Sequence, residues 1–235
     1  MMNILQVNNL SKIYKSKNSQ RGIFDLNFSV ASGSFHAFIG ENGAGKTTTI
    51  KSIIGSYNNY EGEILINGIS SRKTQAKEKL GYVPENAIFP KELTTWDYLY
   101  SLAKLSGMSS SQAKEKINTL LEKFEIQNLA KAKPYTFSSG QKKKVLLIQA
   151  LLNDPDLIIL DEPAANLDPT ARYQLFNLLN QLHQEGKSIF ISSHVLSEID
   201  KYVDSYTLIH DGVIVASGKK TKSLEEIFYE KVIKK

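Results

Sequence analysis

Segments in which apolar residues form short or alternating runs are interspersed along this chain with segments in which they recur at helical spacing. Together these two patterns predict most of the secondary structure. Short apolar or alternating runs predict strands at residues 4–7, 23–30, 35–39, 63–66, 157–160 and 188–192. Apolar residues at helical spacing predict helices at 47–54, 95–105, 113–124, 138–152 and 169–185, from about 197, and at 223–233. Strands separated by helices in this way favour an α/β fold with a parallel sheet and crossover connections.

The middle of the chain has a different pattern from its two ends. From about residue 87 to 140 the pattern is helical only, with two amphipathic helices joined at Ser106 and Gly107. We therefore expect one domain over residues 1–235, with a core at about 1–86 and 141–235 and a helical insertion at about 87–140. The first 70 residues are expected to form one mixed sheet, with a polar loop at 15–20. A hairpin is expected around Asp211 and Gly212.

Composition and charge narrow the class of protein. The chain has no cysteine, which excludes disulfides and thiolate metal sites. Its net charge is +5, but the lysines are scattered, so we interpret them as a solvated surface and expect no nucleic-acid partner. The start of the chain resembles no secretory leader, and no apolar run is long enough to cross a bilayer. We therefore expect a cytoplasmic location, with any membrane role supplied by a partner.

A glycine-rich segment joins the predicted strand at 35–39 to the predicted helix at 47–54. It consists of Gly40, Glu41, Asn42, Gly43, Ala44, Gly45, Lys46, Thr47 and Thr48. Glycines let backbone N–H groups turn inward around an anion, and the helix start adds the positive end of a dipole. The spacing matches the phosphate-binding loop of nucleotide-binding proteins, in which Lys46 reaches the β and γ phosphates and Thr47 binds Mg²⁺. The alternative is a glycine-rich turn with an exposed lysine.

Three further polar residues follow buried strands and should emerge at the same sheet edge. Asp161 and Glu162 come directly after the strand at 157–160, and His194 follows the strand at 188–192. Ligands collect at the carboxyl edge of an open α/β sheet. We expect Asp161 to hold Mg²⁺, Glu162 to polarise a water molecule, and His194 to bind the γ-phosphate or that water. The alternatives are a simple turn before Pro163 and a structural histidine.

With the segment Phe137-Ser138-Ser139-Gly140-Gln141, the chain resembles the ATP-binding subunit of an ABC transporter over nearly its whole length. This segment is similar to the signature motif, which other phosphate-loop ATPases and kinases lack. The remaining matches, in family order, are Tyr14 for the aromatic residue that stacks on adenine, residues 40–48 for Walker A, Glu85 for the metal-contacting glutamine, Asp161 and Glu162 for Walker B, residues 165–168 for the D-loop, and His194 for the switch histidine.

The resemblance implies an α/β fold with a phosphate-loop NTPase core, a mixed and mainly parallel sheet, an N-terminal antiparallel β subdomain and a helical insertion subdomain. It implies ATP and Mg²⁺ as ligands, with Thr47, Glu85 and Asp161 at the metal. Ser138, Ser139, Gly140 and Gln141 would serve the ATP held by a second copy, giving a head-to-tail homodimer. Integral membrane permease subunits would be the other partners, and the chain would lie on the inner face of the membrane.

The sequence departs from the family pattern at several positions. Phe137 and Ser139 replace the usual leucine and first glycine of the signature, so we expect slower or altered closure of the dimer. Lys144 replaces the usual arginine, which removes a planar set of donors. Glu85 adds a carboxylate near Asp161 and Glu162. A Pro-Glu pair at this point is frequent in bacterial exporters of this type, which favours export.

Other interpretations remain open from the sequence. The basic pI would suit a soluble ABC-type ATPase acting on nucleic acid or ribosomes, although such proteins usually carry tandem ATP domains or a long coiled coil. A phosphate-loop kinase would leave Ser138 to Gln141 and His194 unexplained. A group of apolar residues near Glu85 is a candidate groove for a helix of the membrane partner, or else part of the core: Ile88, Phe89, Trp96, Tyr98 and Tyr100.

Overall fold

The computed structural model describes residues 2–15, 20–86 and 88–234. The strands are β1 (Asn3–Lys15), β2 (Gln20–Ala31), β3 (Phe35–Ile39), β4 (Glu61–Ile66), β5 (Ile69–Ser70), β6 (Leu80–Val83), β7 (Leu157–Leu160), β8 (Ser188–Ser193), β9 (Ser205–His210) and β10 (Val213–Lys219). The helices are α1 (Lys46–Ile53), α2 (Thr95–Leu105), α3 (Ser110–Lys123), α4 (Ser139–Leu151), α5 (Pro169–Gln184), α6 (Leu196–Ile199) and α7 (Leu224–Phe228), which continues as a π-helical segment, Tyr229–Ile233.

A six-stranded sheet forms the centre of the molecule, in the order β10-β9-β3-β8-β7-β6. All neighbouring pairs are parallel except β9 and β10, which form the predicted hairpin. Every residue of β3, β7 and β8 is buried. One face of these strands packs on helices, and the other packs on α1 and the antiparallel sheet described below. Because β8 lies between β3 and β7, the segments that follow these three strands leave the sheet side by side.

The second sheet is antiparallel and has the order β2-β1-β4-β5. The prediction of one mixed sheet over the first 70 residues was therefore wrong, because β3 belongs to the other sheet. The reason is burial: β3 is buried at all five positions, whereas β2 and β4 each bury only one face. The family resemblance placed an antiparallel subdomain here correctly. Residues 16–19 of the predicted polar loop lie outside the described residues.

The predicted helices between residues 87 and 140 are present as α2 and α3. Thr94 caps α2 by accepting a hydrogen bond from the backbone of Asp97 at 3.1 Å, and Ser109 caps α3 in a capping box with Gln112. Both helices pack on α4, and their buried residues belong to one cluster with β3, β7 and β8. This packing places α4, and therefore the residues that precede it, against the central sheet. No helix in the described part of the chain is long and apolar enough to span a bilayer.

Candidate functional site

The glycine-rich loop after β3 curls around the side chain of Lys46. The Lys46 ammonium donates hydrogen bonds to the carbonyl oxygens of Gly40 at 2.7 Å and Glu41 at 3.0 Å. Gly45 has a φ of 111°, and a Cβ there would lie 2.6 Å from Cγ2 of Ile23, so only glycine fits. The loop leads directly into α1, whose first N–H groups have no partner within the helix. Together these features form an anion-binding helix start.

Asp161, at the end of β7, lies next to Thr47 of this loop. Its Oδ1 accepts a hydrogen bond from the Ser192 hydroxyl at 2.8 Å and a longer one from the Thr47 hydroxyl at 3.4 Å. The side chain is 2% exposed, and burial raises its pKa above the usual aspartate value. A cation at this position would favour the charged carboxylate. Thr47 and Asp161 therefore meet as the sequence predicted.

Glu162 is held between Lys46 and His194. Its Oε2 lies 2.9 Å from Nδ1 of His194, and its Oε1 lies 3.2 Å from the Lys46 ammonium. Since an ionised carboxylate only accepts hydrogen bonds, the proton of this bond is on Nδ1. The φ of Glu162 is 42°, in the left-handed region that glutamate rarely adopts, and its N–H donates to the Ser192 hydroxyl at 2.9 Å. Such strain is typical of functional sites.

Nine of the predicted site residues line one cavity of about 290 Å³. Its lining consists of Asn42, Gly43, Gly45, Lys46, Thr47, Thr48, Glu85, Glu162, Ala165 and His194. The other loop residues contribute differently, since Gly40 and Glu41 hold Lys46 through their carbonyl groups and Ala44 is buried in the core. The loops that follow β3, β6, β7 and β8 thus meet at one point.

The signature residues line a different cavity, of about 310 Å³, which includes Ser138, Gly140, Gln141 and Asp168. Ser138 caps α4, and its capping box with Gln141 satisfies two backbone groups within the chain. The first N–H groups of α4 still have no partner within the helix.

Two close contacts join the signature segment to the D-loop segment and to the first turn of α5. The Ser139 hydroxyl donates a hydrogen bond to the carbonyl oxygen of Asn166 at 2.9 Å. A Cβ added to Gly140 would lie 2.9 Å from the Cβ of Ala171, so this glycine permits close packing of α4 on α5. The signature and the D-loop segment therefore form one surface.

Tyr14 lies outside both cavities. It is 41% exposed, and its ring packs edge-on against Tyr57 with ring centres 6.5 Å apart. The Lys12 ammonium lies 5.1 Å from the centre of the Tyr14 ring and 4.7 Å from that of Tyr57. The pair presents an aromatic surface on the antiparallel sheet.

The residues predicted to hold a metal fit Mg²⁺ by their chemistry. A hydroxyl from Thr47 and carboxylates from Asp161 and Glu85 are hard oxygen donors, which Mg²⁺ prefers. Among the described residues no three acidic, histidine or cysteine side chains form a ready-made metal cluster.

Two buried polar residues of the site were missed in the sequence. Ser192 supports both Asp161 and Glu162, and the sequence signal was a polar residue within an apolar strand. Lys143 is 5% exposed and donates to the carbonyl oxygens of Pro84 at 2.8 Å and Glu85 at 2.6 Å, and burial lowers its pKa to about 8. Lys143 lies four residues before the buried Leu147, on the same face of α4, and this spacing was the signal in the sequence. The three lysines at 142–144 are therefore not a uniformly solvated run.

The candidate groove near Glu85 divides into core and surface. Phe89 is buried, and the Tyr98 hydroxyl donates to Oε1 of Gln149 at 2.6 Å, so these two belong to the packing against α4. Ile88 is 88% exposed. Trp96 and Tyr100 are partly buried.

Sequence comparisons with known proteins all identify the same family. Residues 23–165 match the family model described as ABC transporter. A putative ABC transporter ATP-binding protein of Mycoplasma pneumoniae is 50% identical over 222 residues, which is 94% of this chain and 68% of that protein. The Nod factor export ATP-binding protein I of Burkholderia orbicola is 35% identical over 212 residues, 89% of this chain and 69% of that protein.

The fold agrees with the family that the sequence comparisons identify. A solved structure of an ATP binding subunit of an ABC transporter superposes with a TM-score of 0.84 at 33% identity, covering 97% of this chain and 98% of that one. Family, relatives and fold point to the same activity as the cavity around Lys46 and Glu162. The chain is a member of the ABC transporter family, as an ATP-binding subunit with ATPase activity.

Proposed function

We propose that two copies of this chain bind ATP between them and use its hydrolysis to drive export through separate membrane subunits. ATP-binding subunits of this family work as dimers with membrane permease subunits. The observation that carries the proposal is that one chain presents two separate anion-binding helix starts. One lies in the cavity with Lys46 and Glu162, and the other lies in the cavity with Ser138 and Gln141.

The first helix start binds the triphosphate of the chain's own ATP. Residues 40–48 supply backbone N–H groups, and Lys46 supplies a buried positive charge for the β and γ phosphates. When phosphate enters, it competes with Glu162 for the Lys46 ammonium, which frees the carboxylate for chemistry. Tyr14 stacks on the adenine, as supported by its exposed ring beside Tyr57.

Thr47, Asp161 and Glu85 would hold Mg²⁺ together with the phosphates. The support is their set of oxygen donors and the proximity of Thr47 to Asp161. When bound, the cation neutralises charge on the phosphates as the terminal P–O bond breaks. Glu85 places a carboxylate where the family usually has a glutamine, and a carboxylate is the stronger ligand for the cation.

Glu162 and His194 carry the chemical step. Glu162 accepts a proton from the attacking water through a carboxylate oxygen, while the His194 Nδ1 proton holds that carboxylate in place. The other ring nitrogen of His194 is then available to the γ-phosphate or to the water. Glu162 has only 12% of its side chain exposed, so bulk water competes weakly for it.

The second helix start serves the ATP of the other copy. Ser138 to Gln141 lie outside the cavity of the chain's own phosphate loop, and the unpaired N–H groups of α4 carry the positive end of a helix dipole. A head-to-tail homodimer gives each ATP both surfaces. ATP binding then closes the dimer, and hydrolysis allows it to open.

Motion reaches the membrane partner through the Glu85 loop. Lys143 on α4 binds the carbonyl groups of Pro84 and Glu85, and the exposed Ile88 follows on the same segment. Ile88 is exposed and Trp96 and Tyr100 are partly exposed, so these three would be the apolar residues that contact a partner helix. Export is supported by a relative named for Nod factor export and by the Pro-Glu pair. The chain would then lie at the cytoplasmic face of the membrane.

The Glu162→Gln variant tests this function. A glutamine side chain keeps the size of the glutamate but cannot take a proton, so we expect ATP hydrolysis to fall by roughly 10²–10⁴-fold while ATP binding and ATP-dependent dimerisation remain. The rate of ATP hydrolysis and the molecular mass by light scattering are measured for the wild type and for Glu162→Gln. The control is Glu115→Gln, which changes an exposed glutamate of α3 in the same way. Unimpaired hydrolysis by Glu162→Gln would remove Glu162 from its role.

A further inference from the structure

Arg172, in the first turn of α5, connects two segments of the site. Its guanidinium donates a hydrogen bond to the carbonyl oxygen of Leu167 at 3.2 Å, in the D-loop segment that precedes the helix. A second nitrogen lies 2.5 Å from a carboxylate oxygen of Glu198 on α6. The side chains of a helix lean toward its N-terminus, which brings Arg172 back over this segment. One rigid, planar group therefore joins the D-loop to α6.

The helix α6 depends on such contacts for its position. It has four residues, Leu196–Ile199, and begins two residues after His194. A single helical turn is not stable alone, so tertiary contacts must hold it. At its far end Ile199 is fully buried, and the neighbouring Asp200 accepts a hydrogen bond from the backbone of Leu224 at 2.7 Å. On the side of the D-loop, the contact is the pair of Glu198 and Arg172.

The pair is partly buried, which makes it stronger than an exposed ion pair. Glu198 has 16% of its side chain exposed and Arg172 has 36%. Screening by water and salt is weaker at such a site. Both residues line a cavity of about 250 Å³ that also includes Glu162, Asn166 and His194. The ion pair of Arg172 with Glu198 and the contact of Glu162 with His194 therefore line the same cavity.

We propose that Arg172 and Glu198 are a positioning pair, which fixes the His194 segment against the D-loop so that His194 meets Glu162. This inference rests on the proposed function, because that function gives Glu162 and His194 their roles. It also connects the dimer surface to hydrolysis. Ser139 of the signature donates a hydrogen bond to the carbonyl oxygen of Asn166. The carbonyl oxygen of the next residue, Leu167, accepts a hydrogen bond from Arg172, and Arg172 also pairs with Glu198.

A positioning role has a distinct kinetic signature. Neither residue contacts the phosphate loop in the described structure, so the affinity for ATP should remain while the chemical step slows. We expect kcat to fall by about tenfold or more in Arg172→Glu and in Glu198→Arg, with KM for ATP within about twofold of the wild type. The double variant with both changes restores the ion pair in reverse and should recover most of the kcat.

The experiment measures steady-state kcat and KM, ATP-binding stoichiometry and thermal unfolding for both single variants and the double variant. Full binding stoichiometry with low kcat identifies a folded but mispositioned site. Arg172→Lys and Glu198→Gln are milder variants that keep the measurement possible if charge reversal prevents folding. Arg172→Lys should lower kcat as well, because one ammonium cannot reproduce both contacts of the planar group. The control exchanges Lys222 and Glu230, an exposed ion pair at 2.6 Å, and should not change turnover.

The possible outcomes separate this inference from the proposed function. Wild-type kcat in the folded single variants, beside an inactive Glu162→Gln, overturns the positioning pair and leaves the function intact. A double variant that folds but recovers no activity also overturns the pair. Activity in Glu162→Gln contradicts the proposed function itself.

Discussion

The Nδ1 atom of His194 lies 2.9 Å from Oε2 of Glu162, although the two residues follow different strands of the central sheet. The strands β7 and β8 are parallel neighbours, so their ends place both side chains at one edge. The carboxylate would otherwise be fixed by Lys46 alone, and phosphate competes for Lys46. In the proposed function, His194 therefore holds Glu162 in place when ATP is bound.

The His194→Ala variant should lose turnover and keep ATP binding. Loss of a positioned donor at a catalytic group costs roughly 10²-fold or more in rate. The phosphate loop does not depend on His194, so the dissociation constant for ATP should stay close to that of the wild type. Single-turnover hydrolysis and equilibrium binding measure the two effects. His183→Gln, on α5, is the matched control, and equal losses in both variants would contradict a specific role for His194.

Gly140→Ala should separate α4 from α5. The added methyl group would lie 2.9 Å from the Cβ of Ala171, in packing too tight for a real carbon contact. Overpacking of this kind typically costs about 1–3 kcal/mol. We expect lower thermal stability and a lower rate of ATP-dependent dimerisation, because the helix start that meets the second copy is displaced.

Gly218→Ala is the control for this substitution. No heavy atom lies within 4 Å of a Cβ built at Gly218, so stability should change little. Equal stability of the Gly140 and Gly218 variants, measured by thermal unfolding, would mean that α4 and α5 can move apart freely. Light scattering with ATP then measures dimerisation of both variants.

The acid stability of the fold should depend on His36, the second residue of β3. Its ring is buried, with Nδ1 3.0 Å from the Ser205 hydroxyl and Nε2 2.9 Å from the Thr207 hydroxyl, and burial lowers its pKa to about 3. Because the folded pKa lies below the unfolded value, the unfolded state binds more protons between these values. Stability is therefore fully present above pH 6.5 and falls as the pH drops toward 3.

This contribution is measurable against a variant that does not titrate. The linkage relation predicts that the wild type loses about 2 kcal/mol of unfolding free energy from this group between about pH 7 and 5. His36→Gln retains hydrogen-bonding capacity without this titration, so its stability should fall by correspondingly less over the same range. Denaturant unfolding at both pH values gives the difference. Parallel curves for the two proteins would show that the pKa of His36 is not lowered by folding.

Local patterns were sufficient to predict most of the elements. Strands such as β3, β7 and β8 are continuous apolar runs, which a pattern of residues along the chain reveals directly. The cap of α2 is Thr94, which the sequence alone could not distinguish from Thr95. The sequence did not predict β6, Leu80–Val83, since four residues including a glycine carry little strand signal. It also did not divide the first strands between two sheets, because that division depends on pairing between distant segments.

The site was predicted where it depends on the carboxyl edge of the sheet and missed where it depends on distant contacts. The meeting of Lys46, Glu162 and His194 follows from where their strands end. The support that Ser192 gives to the backbone of Glu162 requires knowing that β7 and β8 are neighbours. The contact of Ser139 with Asn166 has the same origin, since these residues are distant in sequence.

A crosslink between two copies tests most directly whether ATP is shared across a dimer. The chain has no cysteine, so single cysteines can be introduced without background. One preparation carries Asn42→Cys in the phosphate loop, and a differently tagged one carries Ser139→Cys in the signature, both with Glu162→Gln to prevent hydrolysis. Both positions are exposed in the single chain.

After mixing and mild oxidation, we expect a disulfide between the two tagged chains that forms with ATP and Mg²⁺ and is absent without nucleotide. A control pair, in which the signature cysteine is replaced by one at the exposed position Ser110, should not crosslink. Absence of the ATP-dependent disulfide from the first pair, in proteins that bind ATP normally, would contradict the shared site.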